Sequence, residues 1–367
     1  MMGGFRPITT RICRRSMRIR RTLPIFLAFL VFVAAVALIV SLRKHAPPEP
    51  ARLLPTADGF FYINLKWIRT FSSADKIPSI FSGPEYEQLV EGTGFKFERD
   101  LDEAAFAVHY PQSWGGGTAG TAQDLRFSEV FIGKFDATKL RAYLRQNSTA
   151  MDNYRGFDIY SIPREGRTVR VAILSYDAVA VSNHPDANVI RGILDRSRKL
   201  ASPFAGPQLL RQYYKRVPLA SLSWAILKVK PEQMSSMGGL GLWAMLFPKP
   251  AVTVISGRYL RALHLRAEAF TASDADAQAL LEKAQTFLNL FQSAEVTIGT
   301  QGSDEDVKKF FSSLKIERSG DRAILTATVP PDFLHKLLTG GPPTMEATPA
   351  TPAPSAPPAK PPARKRK

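Results

Sequence analysis

The sequence predicts an α+β fold: a mainly antiparallel sheet domain with amphipathic helices, preceded by a single transmembrane helix. Three observations support this prediction. Residues 23–42 form an uncharged apolar run, short apolar or alternating stretches follow one another across tight turns, and other stretches repeat apolar residues at helical spacing. Because 45% of the 367 residues are hydrophobic, the chain can bury a large core, which excludes a fully disordered protein.

The apolar run extends from Leu23 to Leu42 and, at about 1.5 Å per residue, matches the roughly 30 Å hydrocarbon core of a bilayer. We expect it to contact lipid as an uncleaved signal anchor. A cleaved signal peptide is the alternative, but its apolar region would usually be about 7–15 residues long and followed by a small-residue cleavage site. The alanine cluster at residues 34–37 lies inside the run instead, which favours the anchor.

The orientation of the anchor follows from the charges around it. Residues 1–22 contain seven arginines and no acidic residue, so the positive-inside rule predicts a cytoplasmic N-terminus. Residues 43–367 would then lie outside the cytoplasm. We therefore expect a single-pass membrane protein whose bulk is extracytoplasmic.

Composition divides the chain into six segments. They are a basic cytoplasmic segment, the transmembrane helix, a proline-containing linker, two α+β halves and a Pro/Ala-rich tail, with boundaries 1–22, 23–42, 43–51, 52–218, 219–339 and 340–367. Both halves show a strand, a helix, a hairpin, a second helix and then further strands. The pattern predicts two similar halves, although their residue identity is too low to count as a repeat.

In the first half, apolar runs bounded by turn residues predict six strands and three helices. The predicted strands are 60–65, 104–110, 128–135, 156–162, 168–174 and 178–182. One helix covers 85–90, the next is capped by Asp136, and the third places Val189, Ile190, Ile193 and Leu194 on one side.

In the second half, the predicted strands are 221–229, 251–256, 260–270, 315–318 and 323–329. Within residues 263–269, apolar residues alternate with His264, Arg266 and Glu268, which predicts one buried and one solvated face. A long amphipathic helix is predicted after Ser273, and shorter ones over 307–314 and 333–338.

Motifs that resemble catalytic or cofactor sites lack their required context. The glycine-rich stretch 115–120 leads into a strand rather than a helix, which argues against a dinucleotide site. Two Ser-x-x-Lys pairs, Ser73/Lys76 and Ser312/Lys315, lack the companion motifs of penicillin-recognising enzymes. The five histidines are far apart in sequence, and there is one cysteine, Cys13. We therefore predict no catalytic residue, no cofactor and no metal site.

Nucleic-acid binding is not expected either. The formal net charge is +17, but most of the excess lies near the two ends of the chain and residues 51–339 retain only +5. A pI near 10 therefore does not indicate a basic nucleic-acid-binding surface on the folded part.

The stretch 234–247 is rich in glycine and methionine and therefore pliable. It is predicted to form an irregular core helix under a sheet, or alternatively to contact an apolar ligand or lipid. The candidate contact residues are Met234, Met237, Leu240, Leu242, Trp243, Met245 and Phe247.

The tail, residues 340–367, lacks large apolar side chains and is predicted to be disordered and rich in polyproline II conformation. It ends in four consecutive basic residues and is predicted to be a solubilising end. The alternative is that these residues contact an anionic surface, either lipid headgroups or a wall polymer. The candidate contacts are Arg364, Lys365, Arg366 and Lys367.

Several segments in order resemble a family of bacterial, membrane-anchored extracytoplasmic proteins catalogued only as a domain of unknown function. The matching segments are 53–55 with 59–65, 93–95 with 100–105, 133–136 with Leu140, 154–156 with 159–160, and 178–182. The resemblance implies an envelope protein anchored in the bacterial inner (cytoplasmic) membrane, with a periplasmic domain of α+β fold, and implies no catalytic residues.

From these observations we expect a non-enzymatic domain that binds a partner or acts as a scaffold in the cell envelope, with the protein partner left unspecified. Two alternatives stay open. One is a cell-envelope hydrolase whose site is assembled from residues distant in sequence, and it would require a cleft with convergent Ser, His and acidic groups. The other is a lipid- or hydrophobe-binding module, and it would require an apolar cavity near residues 234–247.

Overall fold

The computed structural model describes residues 46–71, 83–114, 125–198, 206–234, 244–298 and 305–331. These residues form a mixed fold of helices and one antiparallel sheet, which confirms the predicted α+β class. No helix within these ranges is long and apolar enough to cross a bilayer. The predicted anchor, residues 23–42, and the basic tail end, residues 364–367, lie outside the described residues.

The strands are β1 (Gly59–Asn64), β2 (Leu101–His109), β3 (Arg126–Gly133), β4 (Ala150–Tyr154), β5 (Phe157–Arg164), β6 (Arg167–Ile173), β7 (Ala178–Ser182), β8 (Ser223–Val229), β9 (Ala251–Leu260), β10 (Ala262–Phe270), β11 (Lys315–Ser319) and β12 (Arg322–Val329). The α-helices are α1 (Glu49–Leu53), α2 (Leu65–Phe71), α3 (Pro84–Thr93), α4 (Phe97–Asp100), α5 (Ala137–Asn147), α6 (Asn188–Arg198), α7 (Gln208–Tyr213), α8 (Pro231–Met234), α9 (Asp274–Ile298) and α10 (Glu305–Ser313).

All twelve strands belong to one sheet, in the order β11-β12-β10-β9-β8-β1-β2-β3-β7-β6-β5-β4. The first and second parts of the chain meet where β1 pairs with β8, antiparallel, with Gly59 opposite Leu227 and Tyr62 opposite Trp224. The Tyr62 and Trp224 rings stack with centroids 5.5 Å apart. Strands that are far apart in sequence therefore form the middle of the sheet.

Helices cover both faces of this sheet. Leu140 and Leu144 of α5 pack with Tyr160 on one face of β5, whereas α6 packs against its opposite face through Ile190 and Ile159. Because both faces are buried, the central strands are almost continuously apolar instead of alternating. The 178–182 strand, Ala-Val-Ala-Val-Ser, is an example.

The predicted solvated face of 263–269 is wrong at Glu268. This side chain is only 4% exposed. The Arg266 Nε donates to its Oε1 at 2.8 Å, and Arg322 lies 3.5 Å from Oε2. Ion pairing with two guanidinium groups compensates the desolvation of the carboxylate, so a charged residue occupies a buried strand position.

The helix starts agree with the capping residues identified in the sequence. The Asp136 carboxylate accepts hydrogen bonds from the backbone N–H groups of Thr138 and Lys139, at 3.0 and 3.1 Å, and so caps α5. Ser273 precedes α9 and its Oγ accepts from the backbone N–H of Asp276 at 3.2 Å. Both side chains satisfy helix N–H groups that would otherwise have no partner.

Candidate functional site

The main candidate site is a cleft of about 390 Å³ where α1 meets β1, β2, β3 and β7. Its first lining residues, Pro48–Pro50, lie within the predicted linker, residues 43–51. We call it the acidic cleft because three carboxylates line it: Glu49, Glu103 and Asp177. Its volume is in the range of ordinary ligand pockets.

No basic residue is among the described residues that line the cleft. Glu103 accepts a hydrogen bond from the Tyr62 hydroxyl at 2.9 Å, and that hydroxyl accepts one from the side-chain amide of Asn64 at 3.2 Å. Burial raises the pKa of Glu103, and the nearby Asp102 and Glu49 carboxylates raise it further, whereas the Tyr62 hydrogen bond and the positive charge of Lys66 lower it. The site thus has an excess of negative charge that a cation would relieve.

An irregularity in β2 lies beside Glu103. The β2–β3 register shifts between Leu101 and Glu103, which leaves Asp102 as the extra residue of a bulge. The α2 residue Arg69 forms an ion pair with Asp102. On the neighbouring strand, a Cβ added to Gly133 would lie 2.6 Å from the Asp100 carbonyl oxygen, so the close approach of the two strands here requires glycine.

The acidic cleft continues into a second hollow of about 620 Å³, which shares Ile132 and Asp177 with it. Asp102 and Asp136 line this hollow, and Lys134 is its one basic lining residue. Negative charge therefore predominates along the whole depression.

A second cluster, the Ser–His network, consists of His109, Ser128, Ser182 and His184 on β2, β3 and β7 and just after β7. His109 Nε2 lies 3.1 Å from Ser128 Oγ, which lies 3.0 Å from Ser182 Oγ. The backbone N–H of His184 donates to Ser182 Oγ at 3.2 Å, and the two imidazole rings meet edge to face at 4.9 Å. Two of the five histidines thus come together, although the sequence nominated neither.

The electrostatics keep His109 neutral. Burial, together with the smaller effect of His184, lowers its pKa to about 4, although Asp58 acts in the opposite direction. Asp58 itself accepts a hydrogen bond from the Tyr110 backbone N–H at 3.1 Å and lies 3.6 Å from Lys228 Nζ.

The burial of this network argues against its use as the serine site of the hydrolase alternative. The exposed fractions of His109, Ser128 and Ser182 are 4%, 0% and 1%. A serine nucleophile must reach the carbonyl of its substrate, and the Ser128 hydroxyl is inaccessible. The network instead satisfies polar groups between three strands. In the sequence, the network is indicated only by a serine or a histidine at a buried position of an otherwise apolar strand.

The stretch 234–247 is only partly described. Met234 and Phe247 are buried in one core cluster with Leu280, whereas Met245 is 67% exposed. The four other candidate contacts, Met237, Leu240, Leu242 and Trp243, lie outside the described residues. Phe247 also lines a small apolar pocket beneath α9.

The other motifs considered in the sequence, the glycine-rich stretch and the two Ser-x-x-Lys pairs, have no described catalytic partners. The glycine stretch 115–120, Ser73 and Lys76 lie outside the described residues. The Ser312 hydroxyl is exposed and donates to the Lys309 carbonyl oxygen near the end of α10. Among the described residues, no group of three or more His, Cys, Asp or Glu side chains could hold a metal ion.

Comparison with known proteins finds weak structural similarity to solved structures and no match by sequence. No protein-family model matches the chain, and no curated protein matches it. Among solved structures, it is similar to crystal form III of TP0453, with a TM-score of 0.46 and 12% identity over 80% of this chain and 98% of that chain. Crystal forms I and IV of TP0453 give TM-scores of 0.40 and 0.41 at 13% and 11% identity, each over 80% of this chain and over 98% and 97% of theirs. Likeness at this level carries no functional argument.

Proposed function

We propose that this protein is a membrane-anchored extracytoplasmic binding domain of the cell envelope, and that its acidic cleft binds a cationic ligand without chemical conversion. The observation that carries the proposal is the convergence of Glu49, Glu103 and Asp177 in one concave site whose described lining contains no basic residue. A ligand with an amine or guanidinium group would supply the missing positive charge.

The predicted anchor limits how far the acidic cleft can lie from the membrane. Leu42 ends the apolar run, and Pro48 already lines the cleft. Six residues span at most about 20 Å when fully extended. With residues 23–42 in the bilayer, the acidic cleft faces the region close to the outer surface of the inner membrane.

The arrangement of strands supports the proposal of two similar halves. In each half, three consecutive strands (β1–β3 and β8–β10) lie side by side, and a helix follows the third. A later hairpin then returns to pair with that third strand, through β7 in one half and β12 in the other. We therefore propose that the two halves arose by duplication of one α+β unit. The acidic cleft belongs to the first half, and the segments that resemble the envelope family lie in the same half.

The test measures binding of a fluorescent trilysine peptide to the full chain in nanodiscs of neutral lipid. We expect saturable binding that weakens as salt increases, because the charges are partly solvated. The double variant Glu103→Gln and Asp177→Asn should bind at least about tenfold more weakly, since a hydrogen bond to a charged group contributes roughly 1.5–3 kcal/mol.

The matched control is Glu87→Gln, which removes an exposed carboxylate of α3 that does not line the cleft. Its affinity should equal that of the wild type, and a triglutamate peptide should not bind. Absence of trilysine binding, or equal affinity in the double variant and the wild type, would contradict the proposal.

A further inference from the structure

An exposed apolar patch lies at one end of the sheet, outside the acidic cleft and the Ser–His network. It consists of Trp67, Leu219 and Leu260, whose exposed fractions are 54%, 52% and 55%. Single apolar residues on a surface are ordinary, but these three belong to connections at the same end of three adjacent strands, β1, β8 and β9. We call them the strand-end patch.

Trp67 and Leu219 lie on neighbouring connections. The Leu222 carbonyl oxygen accepts a hydrogen bond from the backbone N–H of Asn64, the last residue of β1, at 2.8 Å. Leu219 precedes Leu222 by three positions, and Trp67 follows Asn64 by three positions in the first turn of α2. The pairing of β1 with β8 therefore brings the two apolar residues to the same end of the sheet.

The β9–β10 hairpin extends this end of the sheet. Strands β8 and β9 pair only as far as Ser223 opposite Gly257, whereas β9 and β10 stay paired up to Leu260 opposite Ala262. Because a strand rises roughly 3.3 Å per residue, the hairpin reaches about 10 Å beyond the first residue of β8. Leu260 lies at the tip of this extension.

The way in which α2 is held explains the exposure of Trp67. Its backbone N–H donates to the Asn64 Oδ1 at 3.0 Å, which fixes the start of the helix. Arg69 faces β2, where it forms an ion pair with Asp102. Since successive helical residues are about 100° apart, Trp67 lies on the opposite side of α2 from Arg69 and therefore away from β2.

Exposed basic residues adjoin the patch. Lys66 precedes Trp67, and Arg261 follows Leu260 at the hairpin tip. At a membrane surface, such cations contact lipid phosphates while the neighbouring apolar side chains enter the headgroup region. Tryptophan is enriched there because its ring is apolar and its indole N–H is a donor. The strand-end patch thus has the composition of a membrane-contact surface.

The path of the chain favours a bilayer as the partner of this patch. Pro48 lines the acidic cleft together with Tyr62 of β1 and Glu103 of β2. Glu103 lies opposite Asn64, so the chain enters the fold at the same end of the sheet as the patch. The segment from Leu42 to Pro48 spans at most about 20 Å, which keeps this end close to the membrane.

We propose that the strand-end patch docks the folded domain onto the anionic lipid surface of the membrane that holds its anchor. Trp67, Leu219 and Leu260 enter the headgroup region, and Lys66 and Arg261 contact lipid phosphates. This inference rests on the anchor of the proposed function and does not depend on ligand binding by the acidic cleft. It gives the domain one orientation relative to the bilayer.

The test uses the full chain in nanodiscs of phosphatidylglycerol that contain a lipid with a nitroxide on its headgroup. Leucine and methionine methyl groups are labelled for NMR. The nitroxide should broaden the Leu219 and Leu260 signals severalfold more than the Met245 signal. Met245 is the matched control because it is 67% exposed but belongs to the connection between β8 and β9 at the opposite end of the sheet.

Variants and a change of lipid separate the apolar and the charged contributions. The double variant Trp67→Ser and Leu260→Ser should reduce the broadening of Leu219 at least about threefold, because buried apolar area stabilises the docked state. Met245→Ser should leave it unchanged, and the dispersion of the methyl signals verifies the fold of each variant. Phosphatidylcholine in place of phosphatidylglycerol should also reduce it, because the two basic residues then face no net lipid charge.

The outcomes distinguish the docking from the proposed function. Failure of the wild-type chain to enter nanodiscs would overturn the anchor and the docking together. Retention of the chain with equal broadening at both ends of the sheet, or with no effect of the double variant, would overturn the docking alone. Equal broadening in both lipids would overturn the anionic surface. Leu219 and Leu260 signals that shift only when two chains share a nanodisc would assign the patch to a second copy and overturn the proposal.

Discussion

Because His109 is buried, acidification should lower the free energy of unfolding. Its pKa is about 4 in the folded protein against 6.5 for the ordinary side chain, chiefly because of burial. The unfolded chain therefore takes up this proton first, and the histidine lowers stability as pH falls from about 6.5 to 4. A difference of about 2.5 pKa units at 1.36 kcal/mol per unit corresponds to about 3 kcal/mol.

Glu129 should produce an opposite slope over nearly the same range. Burial raises its pKa to about 7, against an ordinary value of 4.5. The folded protein then holds this proton longer than the unfolded chain does, so stability falls as pH rises from about 4.5 to 7, again by about 3 kcal/mol. The two groups oppose each other, and their separate contributions are hidden in the wild-type profile.

The measurement therefore compares variants that differ only at position 109. Pulse proteolysis in urea gives the unfolding free energy of wild type and His109→Gln from pH 7 to pH 4. Relative to the variant, the wild type should lose about 3 kcal/mol over this range. The control Ser128→Ala removes the hydrogen-bond partner of His109 but keeps the imidazole, so its slope should match the wild type. Parallel profiles for wild type and His109→Gln would refute the reasoning.

Four other expectations are open to direct measurement. Replacing Asp136 by Ala removes an N-cap with two backbone hydrogen bonds and should destabilise the protein by about 1 kcal/mol in urea unfolding; no change would show that the cap is dispensable. Thr253→Val should stabilise the protein by about 1 kcal/mol or more, because it removes an unpaired buried hydroxyl, whereas Thr326→Val should not; a loss of stability would contradict that reading. A reporter that fluoresces only in the cytoplasm, fused after Lys367, should stay dark, and a bright signal would reverse the predicted orientation. Removal of residues 360–367 should weaken salt-sensitive sedimentation with anionic vesicles, and equal binding of both forms would leave the tail as a solubilising end.

Local sequence patterns predicted most elements because their signals are short-range. The strand 178–182 and the start of α9 after Ser273 agree with the structure. The strand β4 was missed because it is a short edge strand whose residues 150–153 are exposed, so it lacks an apolar alternation. The predicted helix 333–338 lies outside the described residues.

The candidate sites were less predictable because they depend on strand order. Glu49, Glu103 and Asp177 belong to separate parts of the chain, and each alone resembles an ordinary surface acid. The pairing of β2 with β3, and of β3 with β7, brings His109, Ser128 and Ser182 together. Sequence periodicity gives the face of a residue on its strand but not the neighbouring strand.

The pairing of β1 with β8 makes the order of synthesis important for this sheet. Strands β1 to β7 are synthesised well before β8. Until β8 is available, the edge of β1 that pairs with it has no partner strand. That edge carries Phe60 and Tyr62, both buried in the finished protein. An exposed apolar edge is a template for wrong pairing, so a chaperone, or rapid synthesis of β8, would protect this region while the chain folds.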